Sequence, residues 1–179
     1  MIKINKRNIL IIITMVLAIA TSVFILVEAG LNGQKSAEQS GVVVEVVETV
    51  VDTIAPGTIN ETNIDDVHNV IRKVVGHFLL FSLAGFFATW TSMLQLENKT
   101  YKSKLWVLNI AIPLGYGFIL AAISEVIQLF AGERSGEFKD VMIDFGGYFL
   151  GFTIIFLILF FLMRRNEKRK KLEMNSFSK

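Results

Sequence analysis

The sequence predicts an all-α membrane protein with four transmembrane helices, and three observations carry that prediction. Apolar residues make up 53% of the 179, and the mean hydropathy is +0.54. They gather in four blocks, 9–27, 74–94, 105–129 and 141–163, each near the roughly 20 residues a helix needs to cross about 30 Å of hydrocarbon. Basic residues flank the blocks unevenly, which sets an orientation.

Lys3, Lys6 and Arg7 precede the first block, Lys99, Lys102 and Lys104 separate the second from the third, and Arg164, Arg165, Lys168, Arg169, Lys170 and Lys171 follow the fourth. These segments are expected on the cytoplasmic side, with both termini inside. The first loop carries Glu28, Glu38, Glu45, Glu48, Asp52, Glu61, Asp65 and Asp66, and the last loop Glu133, Glu137 and Asp140, so both are expected outside. The basic runs therefore read as topology determinants with anionic lipid headgroups as neighbours, and nucleic acid is not an expected partner. The absence of cysteine excludes disulfides, thiolate catalysis and thiolate-bound metal.

The chain divides into an N-terminal transmembrane helix (1–27), an extracytoplasmic loop (28–71), a three-helix core (72–163) and a basic cytoplasmic tail (164–179). The first apolar run, 19 residues long, exceeds the usual 7 to 15 of a signal peptide, so a retained anchor is expected over cleavage after Ala29. Residues 28–39 are polar and Gly-containing and read as an exposed loop. In Val42 to Ile54 the acids Glu45, Glu48 and Asp52 form one stripe with valines elsewhere. That pattern predicts a short amphipathic helix along the outer membrane surface or against the bundle, although its β-branched residues leave a strand open. Pro56 and Gly57 end it, residues 59–69 form a polar connector, and the far C-terminal end is expected to be disordered after its basic stop.

The spans carry ionisable groups at one end. His77 lies one turn inside the second span, sharing a face with Phe81 and Gly85 at four-residue spacing, and Arg72 and Lys73 stand at its mouth. Glu125 and Gln128 close the third span, Arg134 sits in the short connection, and Asp140 and Asp144 open the fourth. Depth counting at about 1.5 Å per residue places all of these in one outer layer. Charges this close to hydrocarbon are costly unless paired or used, which marks the layer as a candidate site. Pro113, Gly115 and Gly117 in the third span are sources of a kink or close contact. Gly147 and Gly151 continue the Asp140 and Asp144 stripe as a GxxxG, so that stripe faces the bundle.

At these residues the sequence resembles the VanZ-like family of small bacterial membrane proteins. The family's basic residue before a span-opening His falls on Arg72 or Lys73 and His77. Its E-x-x-Q falls on Glu125 and Gln128, its loop Arg on Arg134, and its D-x-x-x-N-x-x-G-x-x-x-G on Asp140, Gly147 and Gly151. Asp144 stands where Asn is usual, adding a charge, and Phe81 where Tyr is common, removing a hydroxyl. The motifs span about 72–151, and the outer loop with Ser36, Gln39, Ser40 and Gly41 also resembles longer members. The resemblance implies lowered susceptibility to lipoglycopeptides such as teicoplanin, which act on lipid-linked wall precursors at the outer membrane face.

Three functions fit the layer. It is a binding site for a membrane lipid, a lipid-linked cell-wall precursor or a lipoglycopeptide, with Arg134 as a planar donor to phosphate or carboxylate and Arg72 and Lys73 in support. Alternatively it is a membrane enzyme, with catalytic candidates His77, Glu125 and Asp140 in acid and base roles and Arg134 stabilising developing charge. A divalent cation held by His77, Glu125, Asp140 and Asp144 is a variant of that reading, although no recognised metal signature, phosphate loop or serine nucleophile motif is present. In the third reading Arg134 ties the helix ends together by pairing with Glu125, Asp140 or Asp144.

Overall fold

The computed structural model describes residues 5–31, 33–59, 63–96, 103–131 and 138–177. Within them the chain is helical and contains no strand: α1 Lys6–Ala29, α2 Gly33–Ile54, α3 Ile64–Ile71, a π-helical segment Arg72–Leu79 running directly into α4 Leu80–Leu96, α5 Ser103–Phe130 and α6 Phe138–Phe177. Four stretches are long and apolar enough to cross a membrane: Lys6–Ala29, Gly76–Gln95, Val107–Phe130 and Phe138–Asn166. Their outward faces carry exposed Ile, Leu, Val and Phe, as a lipid-facing surface requires.

The four spans pack as two directions of two helices. Arg7 at the start of α1 meets Leu94 near the end of α4, and Thr91 Oγ1 donates to Thr14 Oγ1 at 2.9 Å, so α1 and α4 are antiparallel. Tyr116 OH donates to Ser22 Oγ at 2.7 Å and Gly30 lies beside Ile127, which makes α1 and α5 parallel. Ser82 Oγ donates to the Gly147 carbonyl at 2.9 Å, and Phe78 to Phe86 runs alongside Gly147 to Gly151, so α4 and α6 are parallel too. These side-chain hydrogen bonds are the usual glue of helices in lipid, where apolar burial adds little drive for association.

The α4 and α6 backbones come together at glycine. A Cβ placed on Gly85 would collide with the Tyr148 backbone, one on Gly147 with Phe78, and one on Gly151 with Ser82 and Phe86. Gly117 on α5 serves a different purpose, leaving room for the Tyr148 ring. Tyr148 is consequently fully buried and joins Ile25, Phe81, Ala84, Leu120, Ala121 and Val141 in the core. On α1 the buried residues Thr14, Ala18, Ser22, Ile25 and Ala29 form one stripe of mostly small side chains, so this helix is packed into the bundle.

Pro113 lies inside α5 and has no N–H to give the carbonyl four residues back. That carbonyl belongs to Asn109, and Ser92 Oγ on α4 donates to it at 3.3 Å and to Asn109 Oδ1 at 3.1 Å. A backbone group weakened by proline is thereby served by a neighbouring helix.

Arg7 does a related service. Its Nε donates to the Leu94 carbonyl at 3.0 Å, and its Nη2 reaches the same oxygen. A cation on a terminal carbonyl satisfies an acceptor that α4 itself cannot and complements the helix dipole. Arg7→Gln is expected to fray the last turn of α4, costing about 1.5 kcal/mol. Amide exchange at residues 92–96 checks this, and unchanged protection there would refute it.

Three expectations fail in the connecting segments. Residues 33–39, read as loop, are the first two turns of α2, and residues 64–69 of the expected connector belong to α3. Polar composition mimics a loop, but neither stretch contains proline to stop a helix. The tail also stays helical to Phe177, because Glu, Lys, Arg, Leu and Met after Met163 are good helix formers with no glycine or proline among them.

Candidate functional site

Because α1 and α5 run one way and α4 and α6 the other, one end of the bundle collects two helix C-termini and two N-terminal ends. His77 comes from the π-helical segment, Glu125 and Gln128 from the last turns of α5, and Asp140 and Asp144 from the first turns of α6. The opposite end holds Lys6, Arg7 and the basic extension of α6.

The sharpest contact joins His77 to Asp144, with Nδ1 3.2 Å from Oδ1. Asp144 is 1% exposed and the His77 side chain 21%, so the carboxylate is sealed in the bundle while the imidazole keeps an open edge. The glycine seam explains the approach. With no side chain at Gly147, the backbone at Phe78 sits against α6, and the residue before it is carried up to the short Asp144 side chain one turn along. His77 also lies in a π-helical stretch, a wider i→i+5 winding that recurs at functional sites.

At the same end of the bundle, Ser124, Glu125 and Gln128 on α5 are all buried. Such groups in an apolar bundle call for hydrogen bonds. Glu125, Asp140 and Asp144 each engage further polar partners. The Gln128 amide nitrogen has no hydrogen-bond partner among the described residues, and the same holds for the Tyr148 hydroxyl deeper in the bundle. Asp140, half-buried in the first turn of α6, has the placement that the helix dipole favours for an acid.

Arg134 falls in 132–137, outside the described residues, as do the side chains of Arg72 and Lys73 within the π-helical segment. Among the described residues no group of three or more His, Asp or Glu side chains converges to hold a metal ion, so the cation variant has no donor set there. The pair itself was only half legible. Depth alone makes Glu125 and Asp144 equal candidates to face His77, and the structure puts Asp144 against it. Tyr148, four residues beyond Asp144 on the same stripe, is a further buried polar residue that the spacing could have revealed.

A helical bundle with four membrane-crossing lengths and a histidine–carboxylate pair at one end defines a multi-pass membrane protein with a polar site at its helix ends. The VanZ/LLP1 family model matches residues 10–161, most of the chain, and the chain belongs to that family. The match begins inside α1, so it reaches well beyond the 72–151 stretch that carries the motifs. No curated protein and no solved structure matches the chain.

Proposed function

We propose that this VanZ/LLP1 protein binds a headgroup of the cell envelope at the His77 end of its bundle, on the outer face of the cell membrane. The headgroup belongs to a membrane lipid, a lipid-linked cell-wall precursor or a lipoglycopeptide. The observation that carries the reading is the gathering of buried polar side chains, Glu125, Gln128 and Asp144, at the bundle end where the partly exposed His77 meets Asp144. Polar groups at that depth are costly and are retained where they serve a site. The uneven distribution of Lys and Arg supports the outward orientation. Arg134, with Arg72 and Lys73, supplies the cationic side of the contact to phosphate or carboxylate.

Purified wild type is expected to retain anionic lipids or precursors through detergent extraction, and Arg134→Ala to retain several-fold less, as read by mass spectrometry. Equal retention by the two proteins removes the binding function. In a susceptible Gram-positive host, wild type is expected to lower teicoplanin susceptibility more than vancomycin susceptibility, and Arg134→Ala at matched membrane abundance to lose the effect. The same susceptibility with and without wild type would strip resistance from the reading.

The His77–Asp144 contact also favours a second reading, acid and base chemistry on an envelope substrate with His77 as the proton-carrying group. Modification of lipid that persists in His77→Ala would end it.

A further inference from the structure

We infer that Asp144 is a positioning residue that holds His77 with a proton on Nδ1, so that Nε2 is the nitrogen offered to an incoming headgroup, as acceptor from a hydroxyl. The ligand half of this rests on the headgroup-binding function proposed above; the Asp144 half does not.

The chemistry follows from the contact. Nδ1 is 3.2 Å from Asp144 Oδ1, and a carboxylate can only accept. Two electron-rich atoms 3.2 Å apart would repel, so Nδ1 is the nitrogen that carries a proton. A neutral imidazole carries its one proton on either ring nitrogen, and beside a carboxylate the Nδ1–H form is the favoured one. A proton held at one ring nitrogen then fixes the role of the other. Nε2 lies across the ring from Nδ1 and therefore points away from the buried acid, and His77 keeps the open edge that Asp144 lacks. A neutral imidazole so held has one lone pair to give, and that lone pair suits a donor such as the hydroxyl of a glycerol or sugar headgroup.

The chain contains two histidines, His68 and His77, so His68→Gln leaves a single reporter. With 15N-histidine in that background, full-length protein in nanodiscs above neutral pH is expected to show a protonated Nδ1 and a bare Nε2. A bare Nδ1 overturns the inference with Asp144 and His77 both unaltered. Asp144→Leu is expected to release the ring and move the proton to Nε2, and Asp144→Asn, whose amide oxygen still accepts, to keep it on Nδ1. An Asp144→Leu spectrum identical to wild type overturns the inference as well.

The ligand half is read in the same sample. Phosphatidylglycerol nanodiscs are expected to shift the Nε2 resonance, and nanodiscs of phosphatidylmethanol, anionic but lacking a hydroxyl, are not. Equal shifts in the two lipids overturn the acceptor role of Nε2. No shift in either, with the Nδ1 proton in place, locates the failure in headgroup binding and leaves the Asp144–His77 assignment standing.

Discussion

Gly151→Ala is expected to cost about 3 kcal/mol or more, because its methyl group would be built into the backbone of α4 at Ser82 and Phe86. Backbone cannot rotate aside as a side chain does, so relief requires the two helices to separate. Separation in turn weakens the Ser82 hydrogen bond to the Gly147 carbonyl and the His77 contact with Asp144. Gly115→Ala is the matched control: nothing lies within 4 Å of a Cβ at that position. There the change is expected to be neutral or to add a few tenths of a kcal/mol through helix propensity. Reversible unfolding in mixed micelles compares the two variants, and equal midpoints would contradict the seam.

Breaking the His77–Asp144 pair from one side is the other large effect. His77→Leu leaves a carboxylate that is 1% exposed without its imidazole, a loss on the order of 3 kcal/mol even though Asp144 has other polar partners. Asp144→Leu strands the imidazole instead. Replacing both by leucine is expected to cost less than the two single changes added together, with a coupling of about 1 to 3 kcal/mol. Strict additivity in that cycle would show that the two side chains are neighbours without interaction. The same proteins separate stability from function, since Gly115→Ala should retain lipid normally.

The spans were legible in the sequence because hydrocarbon imposes a length on apolar blocks, and all four appear within a few residues of their expected limits. Close packing was legible in Gly85, Gly147 and Gly151, whose spacing puts them where another helix can approach. Contacts between chain segments were not. Glu125 and Asp144 are equally plausible partners for His77 by depth, and only the parallel pairing of α4 with α6 selects Asp144. Depth is a one-dimensional quantity, whereas partner choice depends on the rotation of each helix. Helices outside the hydrocarbon are hidden at residues 33–39, 64–69 and in the tail, where polar composition resembles a loop. The valine-rich stretch before Ile54 shows its helix through the acid stripe, and it forms the second half of α2.

The two kinds of contact in the bundle also differ in how they yield to force. Where α4 meets α6, main chain touches main chain, and the pair behaves as a stiff spine that cannot slide without a steric clash. Against this spine α1 and α5 lean through Thr14 on Thr91, Ser92 on Asn109 and the Tyr148 ring in the hollow at Gly117, contacts made of rotatable side chains. A shear of α5 along the spine needs only rotamer changes and the exchange of a few hydrogen bonds. Glu125 and Gln128 thus ride on a helix held by side chains, whereas His77 and Asp144 belong to the main-chain spine.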